Sequence, residues 1–192
     1  MKKEKQIEKA IRGNKAALEE LLIHMQEQLY RTAYIYMNNK EDALDVVQET
    51  ACKVVESIKS LKEIRYFKTC VIRILINTAY TELRKRKNVV SLEAVYQLKS
   101  SNEMEATVIE RLELNSQLKN LKTKYKTVIL LYYYHDLSIK EIAFTMDIPE
   151  GTVKTYLARG KEQLKINIRK EEEYEKCYNR KLIVLKCQKK LQ

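Results

Sequence analysis

The chain has 192 residues, a formal net charge of +11, and only three glycines and one proline among abundant Leu, Ile, Lys and Glu. So few turn-formers leave little room for hairpins and predict an all-α fold, arranged as one large domain or two small ones. The excess of Lys and Arg suits a polyanionic partner, nucleic acid before membrane, because the basic residues gather in two separate places and do not line one amphipathic helix.

No stretch approaches the roughly 20 apolar residues of a membrane span, so no membrane insertion is expected. The N-terminus, MKKEKQIEKAIRGNK, lacks the apolar core of a signal peptide, and the expected location is the cytoplasm. Cys52, Cys70, Cys177 and Cys187 are scattered, with only His24 and His135 as imidazole partners, so free thiols are expected and no metal or cofactor is called for.

From Lys5 to Met37, Ile7, Ala10, Ile11, Leu18, Leu21, Leu22, Met25, Leu29 and Ala33 recur at helical spacing, broken at Arg12-Gly13-Asn14. A short helix and a longer one follow from this. After a turn at Asn38-Asn39-Lys40, Glu41-Asp42 opens a third helix with carboxylates at its positive end. On that helix the spacing predicts an apolar face of Leu44, Val47, Ala51, Val54, Val55 and Ile58. Glu41, Asp42, Asp45, Glu49 and Glu56 lie opposite, with Gln48 at the border. Two readings fit the acidic stripe: a solvated face, or a docking site for a basic protein partner, since carboxylates there would repel DNA.

The helix from Tyr66 to Lys87 has a wide apolar arc of Phe67, Val71, Ile72, Ile74, Leu75, Ile76, Ala79 and Leu83. If it is unbroken, Tyr66, Arg73, Asn77, Tyr80, Arg84 and Lys87 fall within a sector of about 80° at about 100° per residue. Cations interleaved with aromatics and an amide suit single-stranded nucleic acid, with bases stacking on rings and guanidinium groups following the backbone. The plainer reading is that both tyrosines pack at the helix boundary and the cations keep the helix soluble.

From Asn88 to Gln117 the net charge is −3, between segments of +6 and +8, and the weak periodicity around Leu98 to Asn102 predicts an acidic linker. A helix from Met104 carries Val108, Leu112 and Leu118, and another from Tyr125 carries Val128, Ile129, Leu131 and Tyr132 to a turn at His135-Asp136. These brace LSIKEIAFTMDIPEGTVKTYLARGKEQL, Leu137 to Leu164. Ser138 and Glu141 make a capping box, Asp147-Ile148-Pro149 interrupt the helix, and a second helix resumes from Glu150. Val153, Leu157 and Leu164 share one side of it, while Lys154, Thr155, Ala158 and Arg159 face away from the core. A basic and hydroxyl-bearing face of this kind fits the major groove, although helix pairs with such turns also occur in purely structural bundles. The tail beyond Ile168 either extends this last helix or packs against another surface.

Three of these segments, in this order, resemble the extracytoplasmic-function (ECF) class of bacterial sigma-70 family sigma factors. EDALDVVQET at Glu41 to Thr50 resembles the family's Asp-x-x-Gln-Glu segment. RILINTAYTELRKRK at Arg73 to Lys87 resembles its Asn-bearing helix with a basic end, and Leu137 to Leu164 resembles its C-terminal helix-turn-helix. The chain departs from the family pattern at Ala51, Cys70, Thr81 and Tyr156, which bears on promoter sequence and melting.

The resemblance implies two small helical domains: residues 1–88 as sigma region 2, 89–116 as linker, 117–170 as sigma region 4, and 171–192 as a tail without assigned role. It implies that Asp45, Gln48 and Glu49 bind the β′ clamp helices of core RNA polymerase. Tyr66, Arg73, Asn77, Tyr80 and Arg84 would hold the single-stranded minus-ten element, with an unstacked base at Asn77. Thr152, Lys154, Thr155, Ala158 and Arg159 would read the duplex minus-thirty-five element in a domain that also touches the β flap. An anti-sigma factor is a further implied partner. The expected function is promoter recognition and melting without catalytic chemistry. A stand-alone helix-turn-helix regulator leaves the acidic stripe and the strand-binding helix unused, and an enzyme using Cys52 or Cys70 with His24 or His135 needs residues that point mostly toward cores.

Overall fold

The structure, a computed structural model, describes residues 2–90, 118 and 121–188, and among these every regular element is helical. They run as α1 (Lys2–Ile11), α2 (Lys15–Met37), α3 (Lys40–Ser57), single 3₁₀ turns at Ile58–Ser60 and Ile64–Tyr66, then α4 (Phe67–Val90). After 91–117 come α5 (Thr123–Ile129), a π-helical turn at Leu130–Tyr134, α6 (Ile139–Met146) and α7 (Glu150–Gln188). The expected acidic linker and the helix from Met104 lie almost wholly outside the described residues.

The chain divides into two compact units, Met1–Met104 with Lys140–Asp147, and Glu105–Ile139 with Ile148–Gln192. In the first, the breaks between helices are set by asparagine and glycine. Gly13 has φ +95°, a conformation that side chains disfavour. Asn14 then caps α2, its Oδ1 accepting from the Ala17 amide at 3.0 Å. Asn38 ends α2 in the left-handed region and donates its N–H to the Tyr34 carbonyl. Asn39 starts α3 by accepting from the amides of Glu41 at 2.8 Å and Asp42 at 3.2 Å.

The core of this unit joins Leu18, Leu21, Met25, Leu29 and Ala33 of α2 to Phe67, Val71, Ile72, Leu75, Ile76 and Ala79 of α4. Ile74 and Leu83, expected in the same arc of α4, are half-buried. On α3 the expected face is corrected by about a quarter turn. Ala43, Val46, Thr50 and Val54 are buried, whereas Leu44 is 47% and Val55 50% exposed. Small side chains at 43 and 50 fit a close helix crossing. The Thr50 hydroxyl gives its hydrogen bond to the Val46 carbonyl at 2.6 Å, so its burial leaves no unmet donor.

In the second unit, α5 packs on α7 around Tyr125, Val128, Ile129, Val153 and Leu157, with Leu118, Leu121, Leu131 and Leu137 closing the same core. At Gly160 the two helices are in close contact. A Cβ there would stand 2.9 Å from Ile129 Cδ1 and 3.3 Å from both Ile129 Cγ1 and Tyr125 Cβ. Asp147, at φ +54°, ends α6, and the Pro149 carbonyl starts α7 by accepting from the Thr152 amide at 2.9 Å and the Val153 amide at 3.1 Å. Beyond Ile168 the tail continues α7 to Gln188, so it extends the last helix.

Gly160→Leu is expected to destabilise the second unit by about 1–3 kcal/mol through overpacking, read as a lower urea midpoint by circular dichroism. Gly151→Ala, with nothing within 4 Å of its Cβ position, should not lower that midpoint.

Candidate polymerase and nucleic-acid interfaces

Turning α3 onto its Ala43–Thr50 side leaves a mixed surface outside. Asp45, Gln48 and Glu49 are exposed, and Leu44 and Val55 stand beside them with Val47 and Ala51 half-buried at the margin. At about 100° per residue, Leu44, Val55, Gln48, Asp45 and Glu49 span an arc of about 140°. Glu49 pairs with Lys53 at 3.1 Å, and Lys53 also donates to the Thr78 hydroxyl at 3.2 Å. Asp42, another member of the acidic stripe, is ion-paired with Arg86 of α4. The expected face of Leu44, Val47, Ala51, Val54, Val55 and Ile58 omits Ala43, Val46 and Thr50, which are buried, and includes Leu44 and Val55, which are exposed. The available signal was the Ala43-x-x-Val46-x-x-x-Thr50-x-x-x-Val54 spacing of small and branched residues, which is helical in its own right.

On α4 the expected nucleic-acid strip is partly packed. The helix starts at Phe67, so Tyr66 belongs to the preceding 3₁₀ turn and the strip is not one unbroken helix. The Tyr66 ring is stacked on Phe144 with centroids 6.1 Å apart, and the Arg65 guanidinium lies 4.9 Å from the Tyr66 centroid. Arg73 is half-buried with its guanidinium 4.8 Å from the Phe144 centroid. Tyr80 is half-buried and meets the buried Tyr36 edge-on at 5.9 Å. Asn77 and Arg84 are exposed. In the basic run, Lys85 pairs with Glu82 at 2.7 Å, a hydrogen bond that raises the Lys85 pKa, while Arg86 reaches Asp42. A cleft of about 420 Å³ opens beside the strip, with Leu61, Tyr66, Cys70, Arg73 and Ile74 in its wall.

On α7, Lys154, Thr155, Ala158 and Arg159 are all exposed, and Thr152 is half-buried. The Thr155 hydroxyl donates to the Gly151 carbonyl at 2.9 Å. Tyr156 faces inward and meets Tyr125 edge-on at 5.5 Å, with the Lys124 ammonium 4.9 Å from its ring centroid.

Cys177 and Cys187 lie outside the residues whose side chains are described, and Cys70 is placed poorly for covalent chemistry. Burial pushes the Cys70 pKa up, against a smaller opposing effect of Arg73, and an activated nucleophile needs the reverse. Cys52 is exposed on α3, His24 is exposed on α2 and His135 is buried. Among the described residues no cluster of His, Cys, Asp and Glu could hold a metal ion, and no helix is long and apolar enough to cross a membrane.

The profile of Sigma-70 region 2 matches residues 21–89 and that of Sigma-70 region 4 matches residues 111–164. The RNA polymerase sigma factor SigV of Bacillus subtilis is 32% identical over 160 residues, which cover 82% of this chain and 95% of that protein. The chain belongs to the sigma-70 family, in its ECF class. The ECF RNA polymerase sigma factor SigW of the same organism is 30% identical, covering 86% of this chain and 96% of its own. The fold is shared with the sigma factor RpoE of Bartonella quintana, solved in complex with the anti-sigma factor NepR. That likeness has a TM-score of 0.70 and 21% identity, over 79% of this chain and 96% of that one. As a sigma factor, the protein acts in transcription initiation.

Half-buried and with its pKa raised by burial, Cys70 should be alkylated by iodoacetamide at pH 8 more slowly than the exposed Cys52, and its own rate should climb as the pH rises. Peptide-resolved mass spectrometry of timed samples checks this, and faster labelling of Cys70 would contradict it.

Proposed function

We propose that this sigma factor binds core RNA polymerase through the exposed side of α3, melts and holds the minus-ten strand along α4, and reads the minus-thirty-five duplex with the start of α7. The observation that carries the reading is the uncovered arc of α3, where Leu44 and Val55 at about half exposure border Asp45, Gln48 and Glu49. Apolar side chains ringed by carboxylates suit a protein partner with a basic, partly apolar surface. They do not suit a phosphate backbone, which the carboxylates would repel. The β′ clamp helices are that partner by family resemblance, and the β flap is assigned to the second unit on the same ground.

On α4, Asn77 and Arg84 are the exposed members of the strand-binding strip and contact the melted strand first. Tyr66 and Arg73 border the cleft beside the strip, which is roomy enough for an unstacked base, while Tyr80 supports the strip by packing on Tyr36. On α7, Arg159 and Lys154 supply the charge for groove and phosphate, and Thr152, Thr155 and Ala158 supply short side chains that allow close approach. Residues 1–88 form sigma region 2, 89–116 the linker and 117–170 sigma region 4. The protein acts by binding, not as an enzyme, and works in the cytoplasm where its polymerase is. An anti-sigma factor is a natural regulator, since the related fold of Bartonella quintana RpoE was solved bound to one.

The decisive experiment is gel filtration of the purified chain with bacterial core polymerase. Co-elution is expected, and a chain that stays free while binding duplex DNA would favour the stand-alone regulator. Leu44→Asp with Val55→Asp should weaken association by tenfold or more, about 1.4 kcal/mol or above, at any salt. Asp45→Lys with Glu49→Lys should weaken it most at low salt, because exposed charge pairs are screened. Asn77→Ala should reduce promoter opening, followed by permanganate reactivity of unpaired thymines, and leave duplex binding by the second unit intact.

A further inference from the structure

At the end of α5 the backbone widens into a π-helical turn over Leu130–Tyr134, with the His135 amide bonded to the Leu130 carbonyl at 3.0 Å. Such turns carry one residue more than an α-turn and often re-aim side chains at functional places. Here the turn presents Tyr132 and Tyr133 to solvent, 37% and 54% exposed, with their rings edge-on at 4.9 Å. They are two large exposed aromatics that directly follow the buried run from Tyr125 to Leu131.

The ring of Tyr133 is approached by a cation from α7. The Lys161 ammonium lies 5.3 Å from its centroid, and its hydrogen bond to the Tyr133 hydroxyl oxygen raises the lysine pKa. The contact gives the Lys161 ammonium a defined position beside the Tyr133 ring. That position matters because of where it lies on α7. With Lys154 set at zero, Ala158 falls at about 40°, Lys165 at about 20° and Lys161 at about −20°. Lys154, Lys161 and Lys165 thus form one exposed row beside the groove-facing residues, about 16 Å long at 1.5 Å per residue.

A second clasped lysine gives the contrast. Lys124 lies 4.9 Å from the Tyr156 centroid and 5.3 Å from that of Tyr125, but Tyr156 is about 140° round α7 from Lys161, on the side packed against α5. Among the described residues of this unit, two lysines are thus held against aromatic rings, Lys161 beside the proposed groove face and Lys124 away from it.

We propose that Lys161 contacts a phosphate of duplex DNA at the margin of the α7 recognition face, and that Tyr133 is the positioning residue that holds its ammonium there. This rests on the reading of α7 as the duplex-binding helix. Each phosphate neutralised by a lysine releases condensed counterion, so the contact has its own signature in the salt dependence of binding.

The test is anisotropy of the full chain with a labelled duplex of about 30 mixed-sequence base pairs, titrated from about 50 to 200 mM KCl. One phosphate contact corresponds to about 0.9 in the slope of log K against log salt, and K161A should lower the magnitude of the slope by that amount. Lys161→Arg should restore it. Y133F keeps the charge and loses the hydroxyl, so it should retain the slope and weaken binding about two- to threefold at every salt, a hydrogen-bond effect of less than about 1 kcal/mol. Lys124→Ala removes an equal charge away from the face and should change neither quantity. A K161A slope equal to the unaltered chain's, or equal losses from K161A and K124A, would overturn the proposal. Arg159→Ala separates the two levels. If it lowers the slope and K161A does not, the pair fails and the reading of α7 stands. If neither variant lowers it, the reading of α7 fails as well.

Discussion

The setting of α3 about its own axis decides what the first unit offers its surroundings. Ala43, Val46, Thr50 and Val54 go into the core, and everything proposed for polymerase binding is what remains outside. A hydroxyl makes this possible. Thr50 satisfies its donor on the carbonyl of the preceding turn, so the helix can bury a polar residue at no unpaired cost and leave Leu44 and Val55 in solvent. The same device recurs at buried Thr32, Thr127 and Thr145, each bonded to the carbonyl four residues back. Threonine serves this chain as a compact core residue.

The second unit depends on a different constraint, the close approach of α5 and α7 at Gly160. That approach buries Tyr125 and Ile129 against α7 and fixes which side of α7 is turned away. Lys154, Thr155, Ala158 and Arg159 are exposed because Val153, Leu157 and Gly160 are not. Core packing and the proposed nucleic-acid surface are the two sides of one helix, so a change that rotates α7 to relieve crowding also re-aims its basic face.

The helix boundaries were legible in the sequence wherever Asn, Gly or Pro set them, as at Asn14, Asn38-Asn39 and Pro149, because each acts through its own backbone. The wide apolar arc of α4 was legible for the same local reason, period and composition agreeing from Phe67 to Ala79. The face of α3 was misread because its buried threonine resembles a polar residue in any hydrophobicity pattern and its exposed Leu44 and Val55 resemble core. That Tyr66 and Tyr80 pack was one of the two readings open in the sequence, but their partners, Phe144 and Tyr36, were hidden because they are distant along the chain. The family resemblance was carried by short segments and their order along the chain, more than by any single residue.

The π-helical turn at Leu130–Tyr134 has a bearing on how this chain can vary. A helix that widens to hold a surplus residue has absorbed a change of length without shifting the elements on either side. Removing one residue there would let the turn close to ordinary α geometry, while the hydrophobic register of α5 before it keeps its place. The turn is therefore a position where the loss of a single residue costs the helix little. Relatives that differ by one residue there can share the same fold, and with it the outward position of residues 132 and 133 becomes a variable that descent can tune independently of the core.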